Sequence, residues 1–66
     1  MTSNVDLVRL TGLPNLDTIS DFDRLINLAD IADRKSELQS NAGPRAKAFV
    51  LYADRAAGKA DEIGEA

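Results

Sequence analysis

Gly43-Pro44 divides two stretches in which apolar residues recur every three or four positions, and this fixes the architecture more tightly than any other feature of the chain. Upstream the row is Phe22, Leu25, Ala29 and Ala32, extended by Ser36 and Gln39. Downstream it is Ala46, Phe49, Ala53, Ala56, Ala60 and Ile63. Each row is one face of a helix, because 3.6 residues per turn bring such positions together. Proline fits the first position of the second helix, where its missing N–H costs nothing. Asn41 and Gly43 supply residues that tolerate left-handed backbone at the exit of the first. The expected fold is all-α: an antiparallel two-helix hairpin over about 18–40 and 44–63, assembling into a helical bundle.

The register of the hairpin follows from its turn. Pairing Gln39 with Ala46 brings Ser36 to Phe49, Ala32 to Ala53, Ala29 to Ala56, Leu25 to Ala60 and Phe22 to Ile63. Small residues then meet in the middle and large ones toward the ends. Eight of the ten alanines lie at or after Ala42, so the second helix is favoured by propensity alone, with Gly58 costing up to about 1 kcal/mol. The first helix of the hairpin has competing start signals, Thr18-x-x-Asp21 and Ser20-x-x-Asp23.

Ahead of the hairpin, Ser3-x-x-Asp6 has the spacing of a capping box, Gly12 suits a helix exit and Pro14 follows as a stop. These signals favour one or two helical turns from Asn4 to Thr11. The alternation of Val5, Leu7, Val8 and Leu10 also fits a short strand, but no second strand exists to pair with it. The chain therefore reads as a single domain over 1–66, with a short segment at 1–16 and the hairpin at 17–66.

Size sharpens the question of what completes the core. A chain of 66 residues buries only about 60% of its unfolded surface and needs reinforcement. With no cysteine and no histidine, disulfides, thiolate or imidazole metal sites and the commonest general base are all excluded. A seam whose central residues are alanine leaves Ile26, Leu28, Ile31 and Leu38 on one helix and Val50, Leu51 and Tyr52 on the other without cover. The N-terminal segment, through Val5, Leu7, Val8, Leu10, Leu13 and Leu16, offers one solution, a compact three-helix monomer. The alternative is that Leu28, Ile31, Leu51 and Tyr52 meet a second copy, as a dimer or larger oligomer, or another protein.

The residues for catalysis are lacking. Asp21 and Asp23 project about 200° apart on a helix. Ser3, Ser20, Ser36 and Ser40 have no histidine to activate them. Gly58-Lys59 lacks the glycine and the Ser/Thr of a phosphate loop. No enzyme, no cofactor and no metal site is expected. No apolar run approaches the roughly 18 residues of a membrane span. The first residues carry no basic, then apolar, leader, and the expectation is a cytoplasmic chain that does not enter membranes.

Charge is the remaining signal. The net value of −3 argues against broad, nonspecific attraction to DNA. Yet Arg34, Lys35, Arg45 and Lys47, half of the eight basic residues, gather on either side of Gly43-Pro44, while Asp17, Asp21, Asp23, Asp61, Glu62 and Glu65 fall at the other end. In the first hairpin helix this order complements the macrodipole. In the second it opposes it, at a few tenths of a kcal/mol per exposed site. One explanation is structural, basic ends bridging to acidic ends across helices or subunits. The other is an anion site, where Arg34, Lys35, Arg45 and Lys47 meet nucleotide phosphates, RNA or an acidic protein surface.

These features point to a non-enzymatic helical protein that self-associates and works by binding a macromolecular partner, a size suited to a phage- or plasmid-type regulator or inhibitor. A binder of a phosphorylated small ligand at the turn end, and a structural component of a larger particle, are the competing expectations.

Overall fold

The computed structural model describes residues 4–38 and 43–65. Three helices follow in order: α1 (Asn4–Thr11), α2 (Phe22–Leu38) and α3 (Pro44–Glu65), with one 3₁₀ turn at Leu16–Thr18 between the first two. There is no strand among the described residues. At 1.5 Å per residue α3 alone spans about 33 Å, most of the 37 Å longest dimension of the molecule. No described helix is long and apolar enough to cross a membrane. The Ser3 cap, the Gln39 end of the seam and the Asn41 exit lie outside the described residues.

The segment that reads either as helix or as strand is helical, and its exit shows why it stops where it does. Gly12 takes φ 72°, and its N–H still donates to Val8 O at 2.8 Å. Thr11, the buried polar residue at this exit, is satisfied internally: its hydroxyl donates to Leu7 O (2.6 Å) and accepts from Leu13 N–H (3.2 Å). Its polarity is thereby matched without water, which removes the main penalty of burying it.

α2 begins at Phe22, four residues after the start expected at about 18 and close to the second of the two capping signals, Ser20-x-x-Asp23. Asn15 Oδ1 accepts from Asp17 N–H (3.0 Å), and the Thr18 hydroxyl donates back to Asn15 O (2.7 Å), closing a tight turn of its own. Ile19 is extended, at φ −112° and ψ 116°, so a helix starting at Thr18 is interrupted. The ladder opens instead with Leu25 N–H donating to Asp21 O at 3.0 Å, which leaves Asp21 and Asp23 at the positive end of the helix.

Gly43 takes φ 73° and its carbonyl accepts from Lys47 N–H (3.2 Å), so Pro44 opens α3 as expected. α2 and α3 pack antiparallel. Leu25, Ala32, Phe49, Ala56 and Ala60 are buried in one core, with Ala29, Ala53 and Ile63 partly buried against it. At the open end, the ring of Phe22 lies beside Gly64, close to the expected pairing of Phe22 with Ile63. α3 runs two residues past its expected end.

The same core includes Leu7, Leu13, Leu16, Ala48 and Tyr52. α3 therefore presents two faces: one row against α2, and a second, roughly 60–100° around the helix, against the N-terminal segment. This second face accounts for Tyr52, while Val50 and Leu51 stay exposed.

Candidate functional site

Four basic residues ring the turn end of the hairpin. Arg34 and Lys35 belong to the last turns of α2, and Arg45 and Lys47 to the first turn of α3; all four are exposed. Lys35 Nζ stands 5.7 Å from the centroid of the Phe49 ring, a cation–π contact that anchors the stem while the charge stays in water. No carboxylate among the described residues comes within ion-pair distance of any of the four; the described ion pairs are Arg24–Asp21 and Lys59–Asp17. Among the described residues, then, no ion pair bridges this end to the acidic end.

The four do not converge. At 100° per residue, Arg45 and Lys47 leave α3 about 200° apart, and Arg34 and Lys35 leave α2 about 100° apart. Two grooves flank Lys47. One, of about 630 Å³, lies between α2 and α3 and is lined by Ser36, Glu37, Ala46, Lys47, Val50 and Leu51. The other, of about 250 Å³, is lined by Leu10, Pro44, Lys47, Ala48 and Leu51. Neither gathers a second basic side chain, so the charge forms a ring around the end and not a pocket.

The apolar face expected from Leu28, Ile31, Leu51 and Tyr52 is divided. Tyr52 is 1% exposed, and its hydroxyl donates to the carbonyl of Pro14. It is a core residue, not a surface one, because Leu7, Leu13 and Leu16 cover that side of α3. Burial pushes its phenol above the ordinary value of 10. Leu28 is half-buried against the same core and faces Pro14, Thr18 and Ile19. Ile31 and Leu51 stay accessible, each 43% exposed, together with Val50 at 46%.

A polar cluster that the sequence reading does not single out holds the N-terminal segment in place. Asn4 Nδ2 donates to Asp17 Oδ2 (2.7 Å), Arg55 Nη1 donates to Asn4 Oδ1 (2.6 Å), and Lys59 Nζ donates to Asp17 Oδ1 (3.2 Å). The Asn4 amide, and after it Lys59, hold the Asp17 carboxyl below its ordinary value of 3.8. The signal lies in a second row on α3: Ala48, Tyr52, Arg55 and Lys59 step by four, three and four. That row is apolar at one end and basic at the other, so apolar periodicity alone passes over it.

No protein-family model matches the chain, and no curated protein or solved structure matches it.

Proposed function

We propose that this chain is a non-enzymatic helical protein that self-associates and acts as a small regulator or inhibitor by binding an acidic macromolecular partner at its basic turn end. The observation that carries this reading is the ring of Arg34, Lys35, Arg45 and Lys47, exposed and without an ion pair among the described residues. Buried or paired, these charges would have a structural account; solvated and crowded at one end, they are available to a partner. Their divergence favours an extended anionic surface over a small phosphorylated ligand, which needs several donors aimed at one point. Steering by such a bipolar charge distribution acts before contact and weakens with salt.

The test is fluorescence anisotropy at low and high salt with three labelled polyanions: a single-stranded RNA, a duplex DNA and a polyglutamate peptide. At least one should bind, with affinity falling as salt rises. Arg34→Gln with Arg45→Gln should lower that affinity by about tenfold or more, since each lost charged hydrogen bond is worth about 1.5–3 kcal/mol. Helicity should be unchanged. The three probes separate a nucleic-acid partner from a protein one. No binding to any of them at low salt, or equal binding by the variant, overturns the reading.

A further inference from the structure

We propose that the groove between the end of α2 and the start of α3 is where a second copy of this chain docks, by a two-fold contact in which Leu51 of each copy enters the other's groove and Glu37 of each faces the partner subunit's Lys47. This inference rests on the self-association reading above and assigns its surface.

An isologous contact requires a patch that is complementary to itself. This end of the hairpin meets that requirement twice. In shape, Leu51 lines the grooves on both sides of it and is itself 43% exposed, so an accessible apolar side chain lies beside a cleft. In charge, Glu37 from α2 and Lys47 from α3 line the same groove, and neither has an ion pair among the described residues. A two-fold axis through such a groove brings each acid to the other copy's base, twice over. An unrelated partner has no reason to match both signs in that order.

The groove is also apolar. Val50 and Leu51 line the groove and Leu10 stands across Leu51 from it, all three more than 40% exposed in a chain short of core. Another groove on the hairpin is lined by Ala29, Ala53 and Ala57 together with Asp30, Asp33 and Asp54. Two copies meeting there would oppose their carboxylates, so it is unsuited to self-association. Stable interfaces bury about 800 Å² per partner. That is nearly a fifth of the chain's 4516 Å², for an end with three exposed apolar side chains to offer. The dimer is therefore weak and reversible, in the micromolar range.

Analytical ultracentrifugation of the full chain across micromolar concentrations tests this. The wild type should show a reversible monomer–dimer equilibrium. Glu37→Lys alone and Lys47→Glu alone should each weaken it by about tenfold or more, since each replaces two attractive contacts by two repulsive ones. Neither variant should harm the monomer, because each places its new charge where the helix dipole favours it; circular dichroism verifies this. An equimolar mixture of the two variants should regain wild-type association, as heterodimers that restore both attractive pairs. Leu51→Asp should abolish association.

The outcomes separate cleanly. If the wild type dimerises and every variant does so equally, another surface is used: this inference fails and self-association stands. If the single variants weaken association but the mixture does not regain it, the Glu37–Lys47 pairing is wrong. A wild type that stays monomeric throughout overturns this inference and the self-association reading together.

Discussion

Removing the Tyr52 hydroxyl tests the central packing claim, that the N-terminal segment, and not a second copy, covers this side of α3. In Tyr52→Phe the ring stays in the core and only the bond to the Pro14 carbonyl is lost. Such a bond contributes about 0.5–1.5 kcal/mol net, and because Pro14 is exposed its carbonyl regains water, which favours the lower half of that range. For a domain of this size each kcal/mol moves the melting temperature by about 4–8 °C, so a loss of about 0.5–1 kcal/mol lowers it by about 2–8 °C. Tyr52→Ala empties a buried ring site at about 3–5 kcal/mol, comparable with the whole stability of about 3–10 kcal/mol, and should leave the chain largely unfolded. The assay is thermal circular dichroism over a hundredfold range of protein concentration. A bond within the chain gives a Phe-variant shift that is the same at every concentration. A shift that changes with concentration would place Tyr52 at an interface and refute the packing, because only then does association enter its energetics. Alkaline pH gives an independent check. The folded phenol titrates above 10, so the unfolded chain releases its proton first and stability falls as pH rises past 10. Tyr52→Phe should lack that part of the alkaline loss. As Tyr52 is the single tyrosine, its absorbance titration reports on it alone.

Two further substitutions probe α3 and its strap. A Cβ built on Gly58 meets no atom within 4 Å, so Gly58→Ala should stabilise the chain by about 0.5–1 kcal/mol, and an unchanged or lower melting temperature would contradict the open space around it. Asp17, held below its ordinary 3.8 by Asn4 and then Lys59, contributes stability that is present above 3.8 and lost as pH falls through its lower folded value; thermal melts of Asp17→Asn should lack this acid-side loss, and identical pH profiles would argue against the cluster.

The hairpin was legible in the sequence because its signals agree. Two rows of period 3.6 meet at a Gly-Pro break, and Gly43 takes the positive φ the break requires. Leu25, Ala32, Phe49, Ala56 and Ala60 are as buried as their rows imply. Of the two start signals of α2, the one at Thr18 does not hold, since Asn15 competes for that residue. Its carbonyl and side chain close a turn on Asp17 and Thr18, and Thr18 then serves that turn and not α2. Tyr52 was misplaced for a different reason. Surplus apolar residues on a helix show that a neighbour exists but not which one. The residues that identify it, Arg55 and Lys59, are charged and read as solvent-facing until Asn4 and Asp17 are set beside them. The turn-end groove was hidden because it depends on two helices at once: Glu37 and Lys47 are ten residues apart, and only the closed hairpin brings them to one cleft.

The order of charge on α3 ties the two proposals together. Arg45 and Lys47 at its start lower stability by a few tenths of a kcal/mol each, while Arg34 and Lys35 at the end of α2 raise it by similar amounts. Stability alone therefore explains one pair and not the other. Were two copies to dock through the Leu51 groove, their basic ends would lie beside each other, and that repulsion would work against the apolar contact. An anion lying across both ends would remove the repulsion and meet the basic residues of two copies in place of one. Association and anion binding would then favour each other. By linkage, the factor by which an anion tightens the dimer is the factor by which dimerisation tightens the anion.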